Sequence, residues 1–226
     1  ELEATVTYPD YKLNGQAALL RKYGLVLTSH HHVACNNNLK NWEGYWRRVR
    51  GMKAPELLLS NEKALVEFWQ YSIETVCRDK QENLWQIAFR VNDQPFWAAF
   101  ADAPAGDKER AEVINRMIRI QLAMIKKATG ENDPFVRMTF YDELSDLLAK
   151  GYLQPPTGKN MLWTFVAGRR DHYPYDDLDK ASETGVLYES PIYFDRCSSG
   201  SCRRSMEDGS ELSLCEYTWS ADFLGG

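Results

Sequence analysis

Four short apolar runs, separated by stretches patterned as helices, constrain this chain more than anything else in it. "LVLTSH" (25–30), "NLWQIAFRV" (83–91), "PFVRMTFYDE" (134–143) and "NMLWTFVAG" (160–168) read as strands buried on both faces. Helical patterns lie before and between them. "YKLNGQAALLRKYG" places Gly24 in the C-cap position. Residues 61–78 put Leu65, Phe68, Trp69, Ile73, Val76 and Cys77 at helical spacing. "DKERAEVINRMIRIQLAMIKKATG" reads as a long amphipathic helix capped by Asp107 and closed by Gly130. "ELSDLLAKG" is a short helix ending at Gly151. Apolar strands alternating with amphipathic helices imply an α/β fold, with a parallel sheet and helices outside it. The strands near 25–29, 84–89, 135–140 and 161–166 are therefore expected to be parallel neighbours.

A fifth, weaker strand candidate, "GVLYESPIYF", is interrupted by Pro191. A complete (β/α)8 barrel takes about 250 residues. Four or five strands in 226 residues fit either an open α/β sheet or part of such a barrel. From Arg196 the chain turns rich in Ser, Gly and charge, and an irregular tail is expected over 196–226. Residues 1–195 are then one α/β domain, an open sheet or a partial barrel. The chain starts with Glu1 and shows no signal-peptide core, so it reads as a processed product or a piece of a longer protein.

A net charge of −5 gives no reason to expect a nucleic-acid partner. No apolar run approaches the length that spans a bilayer, so no membrane partner is expected. The five cysteines are odd in number and widely spread, which is no disulfide scaffold. Cys197 and Cys202 flank "SSGS", where a small disulfide loop and two free thiols are both open.

In parallel α/β folds reactive groups gather at the C-terminal ends of strands. Each of the four strands ends in a polar cluster: Ser29-His30-His31-His32, Arg90-Val91-Asn92-Asp93, Tyr141-Asp142-Glu143 and Arg169-Arg170-Asp171-His172. Carboxylate pairs beside aromatic platforms suit sugars, since one carboxyl protonates the leaving oxygen while the other activates water or attacks. Arginines suit a carboxylate or phosphate on the substrate. Together the set points to an acidic carbohydrate. Other readings stay open. The histidines also suit a metal, although no companion ligand stands at motif spacing, or a structural or surface role. Glu143 opens a helix, where a carboxylate is favoured by the dipole alone. Arg169, Arg170 and Asp171 also fit a surface ion-pair cluster.

The stretches "KYGLVLTSHHH", "NLWQIAFRVNDQPFW", "VRMTFYDELSDLLAKGYLQPP" and "NMLWTFVAGRRDHYP", in this order, resemble glycoside hydrolase family 115, the xylan α-glucuronidases. The resemblance covers roughly residues 8–178. It implies a (β/α)8 barrel that removes glucuronic or 4-O-methylglucuronic acid side groups from xylan with inversion. It implies no cofactor. Glu143 matches the family's candidate catalytic glutamate, and Arg90 the arginine near the substrate carboxylate. His30 and His31 match its paired histidines. Asp93 falls in the turn that carries the candidate acid, displaced by one position, with Gln94 where that aspartate aligns. The family's Asp-Asp-Asn tract is Ala167-Gly168-Arg169-Arg170 here.

The expectation is thus a glycoside hydrolase with Glu143 and Asp93 as catalytic carboxylates and no metal. Arg90, His30, His31, His32, Tyr141 and Arg169 contact a polysaccharide or oligosaccharide, and the full-length protein is secreted or periplasmic. Arg90 is expected beside Asp93, keeping it ionised as the base and leaving Glu143 as the acid. The alternatives are a non-catalytic or decayed carbohydrate-binding fragment, and a metal-dependent hydrolase using the histidines with Asp93 or Asp171.

Overall fold

A computed structural model describes residues 3–5, 22–23, 26–29, 33–78, 80, 82–87, 89–91, 94–140, 143–157, 160–165, 187–192 and 212–216. Its centre is a parallel sheet of five strands: β3 (Trp85–Ile87), β6 (Val136–Phe140), β7 (Met161–Phe165), β8 (Leu187–Ile192) and β9 (Leu212–Glu216), adjacent in that order. Every neighbouring pair in it is parallel. Two small pairings lie outside this sheet. β1 (Glu3–Thr5) runs parallel to β2 (Val26–Thr28), and β4 (Arg90–Val91) pairs antiparallel with β5 (Gln94–Pro95). Four helices are described: α1 (Trp42–Arg48), α2 (Glu62–Arg78), α3 (Asp107–Thr129) and α4 (Glu143–Ala149).

Three of the four expected strands are parallel neighbours, as the helical connections require. The run at 26–28 instead takes β1 as its strand partner, and it approaches the main sheet through side-chain and loop contacts described below. "NLWQIAFRV" does not form one strand. It stops at Ile87 and gives way to the β4–β5 hairpin. The break at Pro191 falls inside β8, yet β7 pairs with β8 only over Leu187–Glu189, short of the proline. The tail also differs from expectation: β9, Leu212–Glu216, adds a parallel strand beside β8. Alternating apolar and polar residues, "LSLCE", supply a strand pattern there that Ser and Gly content had obscured.

Amphipathicity explains the helices. α2 buries Leu65, Phe68, Trp69, Ile73 and Val76, each at 0% exposure, against the core. α3 buries Ala111, Ile114, Ile118 and Ile125 on one face and packs on α2 and β3. Each of the leucine, isoleucine, valine and phenylalanine side chains among them contributes about 1.5–3 kcal/mol by leaving water. The helix α1 adds to the helices expected from the sequence. Its signal is Trp42, Tyr45 and Trp46 at helical spacing, all buried, after Asn38, whose side chain accepts from the Lys40 N–H. At the start of α3, Asp107 is not the cap. Gly106 occupies that position, and Asp107 lies in the first turn, where Lys150 Nζ donates to it at 2.7 Å.

Gly130 closes α3 at φ +75°, with its N–H donating to Lys126 O at 3.0 Å. A side chain there enters the left-handed region, so Gly130→Ala is expected to cost about 1–2 kcal/mol in urea unfolding. Asp102 accepts from the N–H groups of Leu59 and Ser60, both at 2.8 Å, at the turn preceding α2. Burial raises its carboxyl, and those N–H groups outweigh this and hold it below its ordinary value. A depressed carboxylate stabilises above its unfolded value and loses that contribution as pH falls through the folded one. At this solvent-exposed turn screening keeps the contribution small, so Asp102→Ala should cost less than about 1 kcal/mol at pH 7, a penalty that disappears in acid. An equal penalty at pH 2.5 and pH 7, roughly spanning the ordinary value near 3.9, would refute the capping role.

Candidate functional site

β3 and β6 are adjacent and parallel, so their C-terminal ends share one rim of the sheet. Arg90 follows the end of β3, and Glu143 follows the end of β6 and opens α4. Arg90 Nε donates to Glu143 Oε1 at 2.7 Å, and Arg90 Nη2 to Glu143 Oε2 at 2.9 Å. The side chains are 1% and 9% exposed. This is a two-bond guanidinium–carboxylate grip, the strong form of a charged hydrogen bond.

A second polar group lies just beneath. Gln86 and Arg137 are opposite each other in the β3–β6 register. Arg137 Nε donates to Gln86 Oε1 at 2.9 Å, and Thr139 Oγ1 donates to the same oxygen at 3.3 Å. Arg137 Nη2 donates to Ser29 O at 2.6 Å. Arg137 and Thr139 share one face of β6, because successive side chains alternate. Val136, Met138 and Phe140 take the other face and join the apolar core. Polar residues inside apolar runs, Gln86 in "LWQIAF" and Arg137 and Thr139 in "FVRMTF", are the sequence signal for this row, which lies in strand middles and not at strand ends.

The asparagine tract after the histidines is structural. Cys35 and Asn36 hold φ of +51° and +59°, and Asn37 N–H donates to Ala34 O at 2.9 Å, closing a tight turn. Asn36 Nδ2 donates to Asn83 Oδ1 at 2.8 Å, and Cys35 N–H donates to Gln86 O at 2.9 Å. Cys35 is fully buried, and burial pushes its thiol far above the ordinary value.

Of the residues singled out from sequence, the structure brings Arg90 and Glu143 together. His30, His31, His32, Asp93, Tyr141 and Arg169 lie outside the described residues, as do Asp142, Asp171, Cys197 and Cys202. Arg90 grips the carboxylate of Glu143, and its expected neighbourhood with Asp93 lies outside the described residues. β4 and β5 leave Asn92 and Asp93 between them in sequence. Among the described residues no group of His, Cys, Asp and Glu is arranged to hold a metal.

The profile of glycosyl hydrolase family 115 matches residues 4–201. No curated protein matches the chain. Among solved structures, that of the YdhT protein from Bacillus subtilis is similar, with a TM-score of 0.52 and 12% identity. The likeness covers 95% of this chain and 70% of that one. At this identity it speaks for the fold.

Breaking a buried pair strands the remaining charge. Arg90→Met and Glu143→Leu are each expected to destabilise by about 3–5 kcal/mol, and the double variant by clearly less than their sum. Additive losses in a denaturant double-mutant cycle would show that the pair does not couple.

Proposed function

The chain belongs to glycosyl hydrolase family 115 and is a glycoside hydrolase, and we propose that it removes a uronic acid side group, glucuronic or 4-O-methylglucuronic acid, from a xylan-type polysaccharide. The observation that carries the site assignment is the buried Arg90–Glu143 pair at the C-terminal rim of a parallel sheet. That rim is where reactive groups collect in such folds. The parallel strands and their helices support a (β/α)8 catalytic barrel to which this chain contributes.

The proposed chemistry is inverting. Glu143, oriented by Arg90, acts as the base and takes a proton from water as it attacks the anomeric carbon. Asp93 acts as the acid and protonates the leaving oxygen. This reading exchanges the roles expected from sequence, and it is supported by the two hydrogen bonds that Arg90 donates to Glu143. Inversion needs a carboxyl separation of about 6.5–9.5 Å, leaving room for that water. His30, His31, His32, Tyr141 and Arg169 are the proposed substrate contacts. Arg169 follows β7 and carries the positive charge that a uronate requires. A polysaccharide substrate is consistent with a secreted or periplasmic full-length protein.

The test uses the full-length protein and glucuronoxylan, with the anomer first released read by NMR. Glu143→Gln and Asp93→Asn should each lower turnover by about 10²–10⁴-fold with binding retained. The 226-residue chain alone should release little uronic acid. Wild-type turnover in Glu143→Gln would reduce Glu143 to an ion-pair partner. Binding without turnover in the full-length wild type would favour a carbohydrate-binding protein that has lost catalysis.

A further inference from the structure

The main chain on either side of the histidine triplet is tied to the same rung of the sheet. On one side, the carbonyl of Ser29 accepts from Arg137 Nη2 at 2.6 Å. That carbonyl belongs to the peptide group joining Ser29 to His30, whose planarity carries the orientation of the C=O into the next residue. On the other side, Cys35 N–H donates to the main-chain oxygen of Gln86 at 2.9 Å. Gln86 and Arg137 are register partners, and Gln86 Oε1 accepts from Arg137 Nε at 2.9 Å. One residue pair in two adjacent strands thus fixes both flanks of residues 30–34.

All four groups are buried: Ser29 at 6%, Cys35 and Gln86 at 0%, and Arg137 at 5%. Water does not readily replace these bonds. The contact at Ser29 uses main chain only, since its hydroxyl is buried with no hydrogen-bond partner among the described residues. Arginine suits the task because its planar fork serves two acceptors in fixed directions. Here those are a side-chain amide oxygen and a backbone carbonyl.

We propose that Arg137, oriented by Gln86, is a positioning residue that sets where the chain leaves Ser29 and enters the histidines that contact the sugar. This rests on the substrate role assigned above to His30, His31 and His32. Arg137 itself does not touch the reacting atoms. Its effect is to pre-organise a segment that otherwise is ordered at the expense of binding.

Hydrogen–deuterium exchange on the full-length protein without ligand tests the clamp independently of the sugar. In Arg137→Met, amides 30–34 should exchange about tenfold faster or more, while those of α3 keep their protection. Arg137→Gln, shorter but still polar, should do the same and serves if the methionine variant does not fold. Ser29→Ala should match the wild type, because the anchor is the carbonyl. Unchanged exchange at 30–34 in a folded Arg137→Gln variant overturns the proposal, as does loosening by Ser29→Ala as large as that by Arg137→Gln. In glucuronoxylan assays Arg137→Gln should raise KM more than it lowers kcat. Faster exchange with no activity on any uronoxylan would uphold the clamp and sink the substrate reading. A KM change with unchanged exchange would sink the clamp.

Discussion

A guanidinium at 1% exposure cannot be left without a counter-charge, and this demand organises the rim of the sheet. Arg90 follows one strand and Glu143 follows the next. Their two-bond grip is made where β3 and β6 are neighbours and parallel, so that the segments following them meet at one rim. Such a pair need not make the fold more stable than an apolar substitute of the same shape. It does disfavour arrangements that separate the two strand ends. The same contact sets the electrostatics of the rim, because a carboxylate facing a fixed cation differs chemically from one facing solvent.

Below that rim the central strands divide their labour by face. Val136, Met138 and Phe140 supply β6's share of the apolar core. Gln86, Arg137 and Thr139 form a hydrogen-bonded row on the opposite side. A sheet covered only by helices has little use for buried arginine and glutamine between its strands. A sheet whose other face belongs to a polar interior has good use for them.

The sequence showed what repetition makes visible. α2 and α3 were legible because burial along a helix recurs at 3.6 residues, and Gly130 was legible because a left-handed C-cap favours glycine. The parallel order of β3, β6 and β7 followed from the helices between them. Short elements were harder. Nothing in "NLWQIAFRV" announces that the strand ends at Ile87, since an apolar run stays apolar across a hairpin. β9 was hidden by the Ser and Gly around it. At the site, Arg90 and Glu143 were each singled out from strand-end position, but their pairing joins positions far apart in sequence and depends on tertiary register. Gln86 and Arg137 are harder to read because they lie in strand middles, where polar side chains hold the backbone, and not at strand ends, where side chains do chemistry.

Cys35 has a consequence of another kind. Only a thiolate exchanges with disulfides, and this thiol is fully buried and held protonated by its apolar surroundings. In the folded protein it behaves as a small hydrophobe, inert to an oxidising compartment. Its reaction must wait for the turn at 34–37 to come away from β3. The residue is therefore a clock built into the fold: the rate at which a thiol reagent consumes it, once reagent is in excess, is the rate at which this corner opens.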